Sequence, residues 1–281
     1  GVTVVAFIES GSAGEQPLSS GPALSGQQLI EDLSGRLERL GAERESGQFS
    51  LDMEVYTPVQ QQQQQQQPAS QQQPQPRTLH VVASSEAPVS SYILPSGSSI
   101  EAAAGPLVSA DSMFGLLLGQ LRALYQAKPG QAVHCRGPKY RLADFTVRLA
   151  TAVFGQSNSV KGVFVEAEYR PCNRLQFGWP LLKEFFSGVF PDRAFAVEHP
   201  NEALQAHLQA QAATGPIDYT YPVTVQQYLL LAYQLGSSRQ QMRSAVAPSS
   251  AADAAVPVSM QQQQSWGRAP LPGPPSQLIG R

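Results

Sequence analysis

A chain of 281 residues is long enough for one large domain or two small ones. Its 23 Pro, 23 Gly and only 14% charged residues describe a globular body carrying polar, low-complexity insertions. A formal net charge of −2 excludes attachment to nucleic acid by a basic surplus, and no run approaches the roughly 18 apolar residues of a membrane-spanning helix, so the sequence predicts a soluble protein.

Residues 2–8, rich in Val, Thr, Phe and Ile, predict a first strand, and the Ser/Gly/Pro-rich residues 9–26 a loop. Leu29, Leu33, Leu37 and Leu40 then recur at helical spacing, with Gly41 as a C-terminal cap. Phe49, Leu51, Met53 and Val55 alternate with Ser50, Asp52, Glu54 and Tyr56, giving a second strand that ends at Pro58. The glutamine run from Gln60 to Gln67 and the Gln/Pro run after it cannot bury enough apolar area to offset their ordering entropy, so residues 59–76 are expected to form a disordered insertion. Residues 78–83 and 90–94 predict a hairpin, and 100–104 a weaker strand. A helix is expected over 111–127, capped by Asp111, with Met113, Leu117, Leu121 and Leu124 on its packed face; Gly115 and Gly119 each weaken it by about 1 kcal/mol.

Residues 139–152 and 160–170 alternate as half-buried antiparallel strands joined by the turn at 155–159. The basic run 136–141 reads as a turn entering that hairpin. Residues 179–190 carry too many apolar positions for a solvent-facing helix, 202–213 form a marginal one, and 223–235, with Pro222 in its first turn, the last helix. From Gly236 onward the composition predicts a disordered tail over 236–281, with Trp266, Leu278 and Ile279 as docking points. The sum is an α+β fold: about seven to nine strands in an antiparallel β-barrel or nearly closed sheet, flanked by α-helices, in one domain over 1–235.

The sharpest chemical pattern is Glu166-Ala-Glu168-Tyr-Arg170, with Asp52-Met-Glu54 repeating the spacing on another strand. Inward carboxylates on a barrel wall hold a divalent metal against a triphosphate in tunnel-type hydrolases, so Glu166, Glu168, Asp52 and Glu54 define an alternative, enzymatic reading. The simpler reading turns these charges to solvent, because Val163, Val165 and Leu51, Met53, Val55 occupy the opposite faces. His80, His134, His199 and His207 lack zinc spacing, Cys135 lacks an identifiable base, and no phosphate-binding glycine loop occurs. Cys135 and Cys172 give no disulfide framework, and the apolar start lacks a signal peptide's basic flank and cleavage site, so reduced, intracellular thiols are expected. No catalytic, cofactor or metal site is assigned, which shifts the expectation to a binding or scaffold role.

Several stretches, in order, resemble the Mediator complex subunit 20 family: GVT at 1–3, LERLGAE at 37–43, DMEVY at 52–56, RGPKYRLADF at 136–145, VEAEYRPC at 165–172, WPLLKEF at 179–185 and VQQY at 225–228. The resemblance implies a helix-flanked barrel in the head module of a nuclear coactivator, without enzymatic activity or cofactor. It further implies pairing with Mediator subunit 18, anchorage through the C-terminal segment of subunit 8, and regulation of RNA polymerase II through the complex, with no direct sequence-specific nucleic acid contact and no membrane. The insertion at 60–76 and the tail after Gly236 depart from that pattern.

Overall fold

The computed structural model describes residues 1–10, 24–59, 77–96, 107–156, 160–191 and 218–246, the side chains of 96 and 236–246 excepted. Among these, nine strands form one antiparallel sheet: β1 (Val2–Glu9), β2 (Glu43–Pro58), β3 (Thr78–Ser84), β4 (Ser90–Ser96), β5 (Val108–Asp111), β6 (Tyr125–Ala127), β7 (Val133–Leu142), β8 (Phe145–Phe154) and β9 (Val160–Tyr169). The helices are α1 (Gly26–Arg39), α2 (Phe114–Gln120), α3 (Leu175–Val189) and α4 (Tyr221–Val246). The strand order is β1-β9-β8-β7-β2-β3-β4-β5, with β6 paired to β2. The α+β class is as expected, but the sheet is not closed, because β1 and β5 stand at its two ends.

Each face of the sheet buries its own side chains. On one face Val2, Val4, Val147, Val163 and Val165 pack with Leu29, Leu33 and Leu37 of α1 and Leu182 and Phe186 of α3. That burial fixes α1, whose start is held by a capping box between Ser25 and Gln28 and whose end turns at Gly41, φ +85°. On the other face Phe49, Leu51, Met53, Val82, Cys135 and Phe164 pack with Val225, Tyr228 and Leu229 of α4. The sheet reaches α4 from β1 and from β4, the strand next to its other end: the Val5 amide of β1 donates to Gln227 Oε1 at 3.0 Å, and Tyr92 of β4 lies against Tyr221 with ring centroids 5.8 Å apart. The sheet therefore curls around α4 without closing.

The edge of β1 is also capped from α4. Gln227 Nε2 donates to the Thr3 carbonyl at 3.0 Å while its Oε1 accepts from Val5, so one side-chain amide stands in for the peptide group of a neighbouring strand. The Tyr219 hydroxyl donates to the same carbonyl at 2.9 Å. Such edges otherwise recruit other chains.

Four sequence expectations change. Residues 139–152 are not one strand: β7 ends at Leu142, the chain turns at Ala143 (φ 50°), and β8 begins at Phe145. The basic run 136–141 lies within β7 rather than in a turn; Gly137 is needed there because a Cβ would meet the Leu149 carbonyl oxygen at 1.8 Å. The helix expected over 111–127 is only the seven residues of α2, and Asp111 closes β5 instead, accepting the Met113 amide at 2.8 Å. The last helix runs on to Val246 rather than ending at Leu235. The expectations for 60–76, 100–104, 202–213 and 247–281 lie outside the described residues, as do His199 and His207.

Candidate functional site

Under α4 the polar positions of β8 and β9 face inward, against the expectation of solvent-facing charges. The β8–β9 register sets Arg148 opposite Glu166, and the alternation that puts Phe164 into the α4 core puts Glu166 there too. Arg148 donates to Glu166 Oε1 at 2.7 Å, Glu86 Oε2 at 2.8 Å and Glu168 Oε2 at 3.0 Å. Lys139 Nζ reaches Glu86 at 3.3 Å, and the Gly1 amino group lies 3.6 Å from Glu168. The Tyr228 hydroxyl closes the cluster from α4, donating to Glu166 Oε2 at 2.7 Å. Glu166 is 1% exposed and Arg148 7%.

The electrostatics follow from this burial. Burial pushes the Glu166 carboxyl up, opposed by the Arg148 charge and the Tyr228 hydroxyl. Burial would weaken the Arg148 proton, but Glu166, Glu86 and Glu168 outweigh it and raise the guanidinium further. Burial likewise pushes Glu86 up, yet Arg148 and Lys139 prevail and hold its carboxyl below the usual range. Two side-chain cations, on Lys139 and Arg148, meet three carboxylates, on Glu86, Glu166 and Glu168. The cluster is paired within the chain and roofed by a helix, which suits it to fixing α4 rather than to receiving a charged ligand.

Asp52 and Glu54 lie on the opposite face. Leu51 and Met53 point to α4, so the carboxylates between them point away. Asp52 contacts His134 Nδ1 at 2.7 Å and Arg136 at 3.5 Å, and Glu54 accepts the Tyr56 hydroxyl at 2.7 Å. Burial and then that hydrogen bond push Tyr56 up to about 12. Asp52, Glu54, His134 and Arg136 line a cleft of about 330 Å³ beside α2, with Val81, Ser91 and Gly115. The sheet separates Asp52 and Glu54 from Glu166 and Glu168, so the four carboxylates of the enzymatic alternative do not form one site. Among the described residues no three His, Cys, Asp or Glu side chains are grouped to hold a metal ion.

The remaining candidates are structural. His80 lies in β3 against Tyr233 of α4, and burial pushes it down to about 4. Cys135 is fully buried, and burial followed by the Asp52 charge pushes its thiol far above the reactive range. In the basic run, Arg136 meets Asp52, Lys139 meets Glu86, and Arg141 meets Glu43 at 2.6 Å, so its charges are matched within the chain. Sequence reasoning missed Arg148, Glu86 and Tyr228. The signal for Arg148 was an opposite charge across a hairpin from Glu166; Glu86 and Tyr228 gave none, being distant loop and helix positions.

A second surface is apolar. Met113, Leu116, Leu117, Leu121 and Leu124 are exposed around α2, where only Leu118 is buried. Residues 16–231 match the family described as the TATA-binding related factor of subunit 20 of the Mediator complex. The chain belongs to this Mediator subunit 20 family. Similar relatives include Mediator of RNA polymerase II transcription subunit 20 of Aedes aegypti, 31% identical with 80% of this chain and 93% of that protein covered. Its human counterpart is 29% identical, with 69% and 89% covered. A chain in the structure of the Schizosaccharomyces pombe Mediator head module matches 66% of this chain and 94% of its own length at 13% identity; the TM-score of 0.32 is too low to support an argument. Among the described residues of this subunit 20 family member, no helix is long and apolar enough to cross a membrane.

Proposed function

We propose that the chain is a non-enzymatic subunit of the Mediator head module, acting in the nucleus through its interfaces. In this reading it pairs with Mediator subunit 18, is anchored by the C-terminal segment of subunit 8, and helps convey regulatory signals to RNA polymerase II. The observation that carries the reading is the family match over residues 16–231, which takes in nearly all of the folded body. The internally paired, roofed cluster at Arg148 and the separation of the two carboxylate pairs support a structural use of the charged residues.

The test is co-expression of the full chain with subunit 18 and the C-terminal segment of subunit 8, followed by capture at moderate and high salt. Recovery of both at high salt is expected, since an obligate interface is largely apolar and resists screening. A folded, monomeric chain that captures neither would overturn the reading.

A further inference from the structure

The apolar positions around α2 recur in sequence at the spacing of a packed helix face, with only Leu116 and Leu117 inside the helix itself, and they face outward. Residues 113, 116, 117, 121 and 124 repeat at three and four, and their side chains are 36–63% exposed, whereas Leu118 beneath them is 2% exposed. Val59, 41% exposed, extends the strip, because its amide donates to the Leu124 carbonyl at 2.9 Å. Scattered surface leucines need no explanation, but five large apolar side chains exposed between residues 113 and 124 mark a place where another element packs.

The charges beside the strip indicate the chemistry of that element. Arg122 lies between Leu121 and Leu124, its Nε held by the Gly119 carbonyl at 2.9 Å, and Lys128 is exposed just beyond β6. Among the described residues no carboxylate pairs with either. The contrast is with Arg136, Lys139, Arg141 and Arg148, each of which meets an acidic side chain of this chain. The α2 segment thus offers apolar side chains with Arg122 and Lys128 at its C-terminal end, while Asp111, which holds the Met113 amide, marks its N-terminal end.

We propose that this strip docks an amphipathic helix of a protein partner, one that lays leucine-like residues on Met113, Leu116 and Leu117 and directs acidic residues toward Arg122 and Lys128. The proposal does not depend on pairing with subunits 18 and 8. Substitutions confined to the strip, tested in the capture assay above, separate the failure of one from the failure of the other.

The test uses the full chain and labelled synthetic helical peptides: one with leucines at three-and-four spacing flanked by glutamates, one with lysines in their place, and a scrambled control. The glutamate peptide is expected to bind and to weaken as salt rises. Leu116→Glu with Leu117→Glu should weaken it roughly tenfold, and Arg122→Glu with Lys128→Glu should reverse the preference to the lysine peptide. All four side chains are exposed, and an unchanged thermal midpoint will verify that each variant folds. The proposal is overturned if no peptide binds, if the strip substitutions leave binding unchanged, or if the lysine peptide binds as well to the unaltered chain. It is equally overturned if phosphatidylserine vesicles bind the strip and the peptides do not, or if the strip forms a dimer of this chain that the leucine substitutions dissolve.

Discussion

Arg148 holds three carboxylates at once, and its value to the fold lies in what its removal leaves behind. Glu166 is 1% exposed, and with Arg148 gone its charge keeps only the Tyr228 hydroxyl as partner. Breaking a buried ion pair from one side costs about 3–5 kcal/mol, because the surviving charge stays desolvated. Glu86 and Glu168 are half-buried and reach water, so they soften the loss only locally. Arg148→Met is therefore expected to lower the unfolding free energy by that amount, read as a lower urea midpoint at unchanged slope, and Glu166→Leu added to it should restore much of the loss. A loss under about 1 kcal/mol would show that the cluster behaves like a surface pair open to water.

At the scale of elements, α4 decides what the sheet is. Its docking rests on the apolar contacts of Val225, Tyr228 and Leu229, on Gln227 at the β1 edge, and on Tyr233 against His80. The last of these makes docking depend on pH. An unfolded His80 takes up a proton near 6.5, the buried one only near 4, so between these values the unfolded state binds more protons. Stability should fall as pH drops from about 6.5 to about 4, by at most about 1.4 kcal/mol per pH unit, and the contribution is fully lost below the lower value. Glu86, held below the ordinary carboxylate range, adds its own loss only at the acid end. His80→Gln keeps an acceptor for Tyr233 without the titration and should flatten the upper part of the profile in urea unfolding at pH 7, 5.5 and 4.5. An unaltered profile in that variant would mean His80 is not the group responsible.

The same helix shows what was legible in the sequence. Strand alternation located β2 and β9, and helical spacing located α1 and α4, because each pattern reports a face that is in fact buried; β1 was legible from its β-branched and aromatic composition. Alternation also put Arg148 and Glu166 on polar faces, but pattern alone does not say that a distant helix covers a polar face. At α2 the spacing of Met113, Leu117, Leu121 and Leu124 predicted a buried stripe, and the structure turns it outward. A pattern marks a face that packs against something, without saying whether the partner is in the same chain. The pairing of Asp52 and Glu54 with Glu166 and Glu168 failed for a related reason: equal spacing on two strands does not place them on one side of the sheet.

For the whole molecule, the expected domain over 1–235 becomes a question of where packing ends. One compact unit runs from Gly1 to Arg239, and α4 makes its buried contacts through Val223, Val225, Tyr228 and Leu229, well inside it. We predict that a chain ending at Arg239 keeps the urea midpoint and slope of the full one, since every buried contact named above is retained. A drop of more than about 1 kcal/mol would show that residues beyond 239 contribute to the core. Ending the chain before Tyr221 is the converse. It removes Tyr228 from Glu166, Gln227 from the β1 edge, and the cover from Phe49, Leu51, Met53 and Phe164. At about 1.5–3 kcal/mol for each large apolar side chain uncovered, exposing these four costs about as much as the 5–15 kcal/mol by which a domain is stable. This shorter chain is expected to show no cooperative unfolding transition, so the two truncations together locate the boundary of the folding unit between Tyr221 and Arg239.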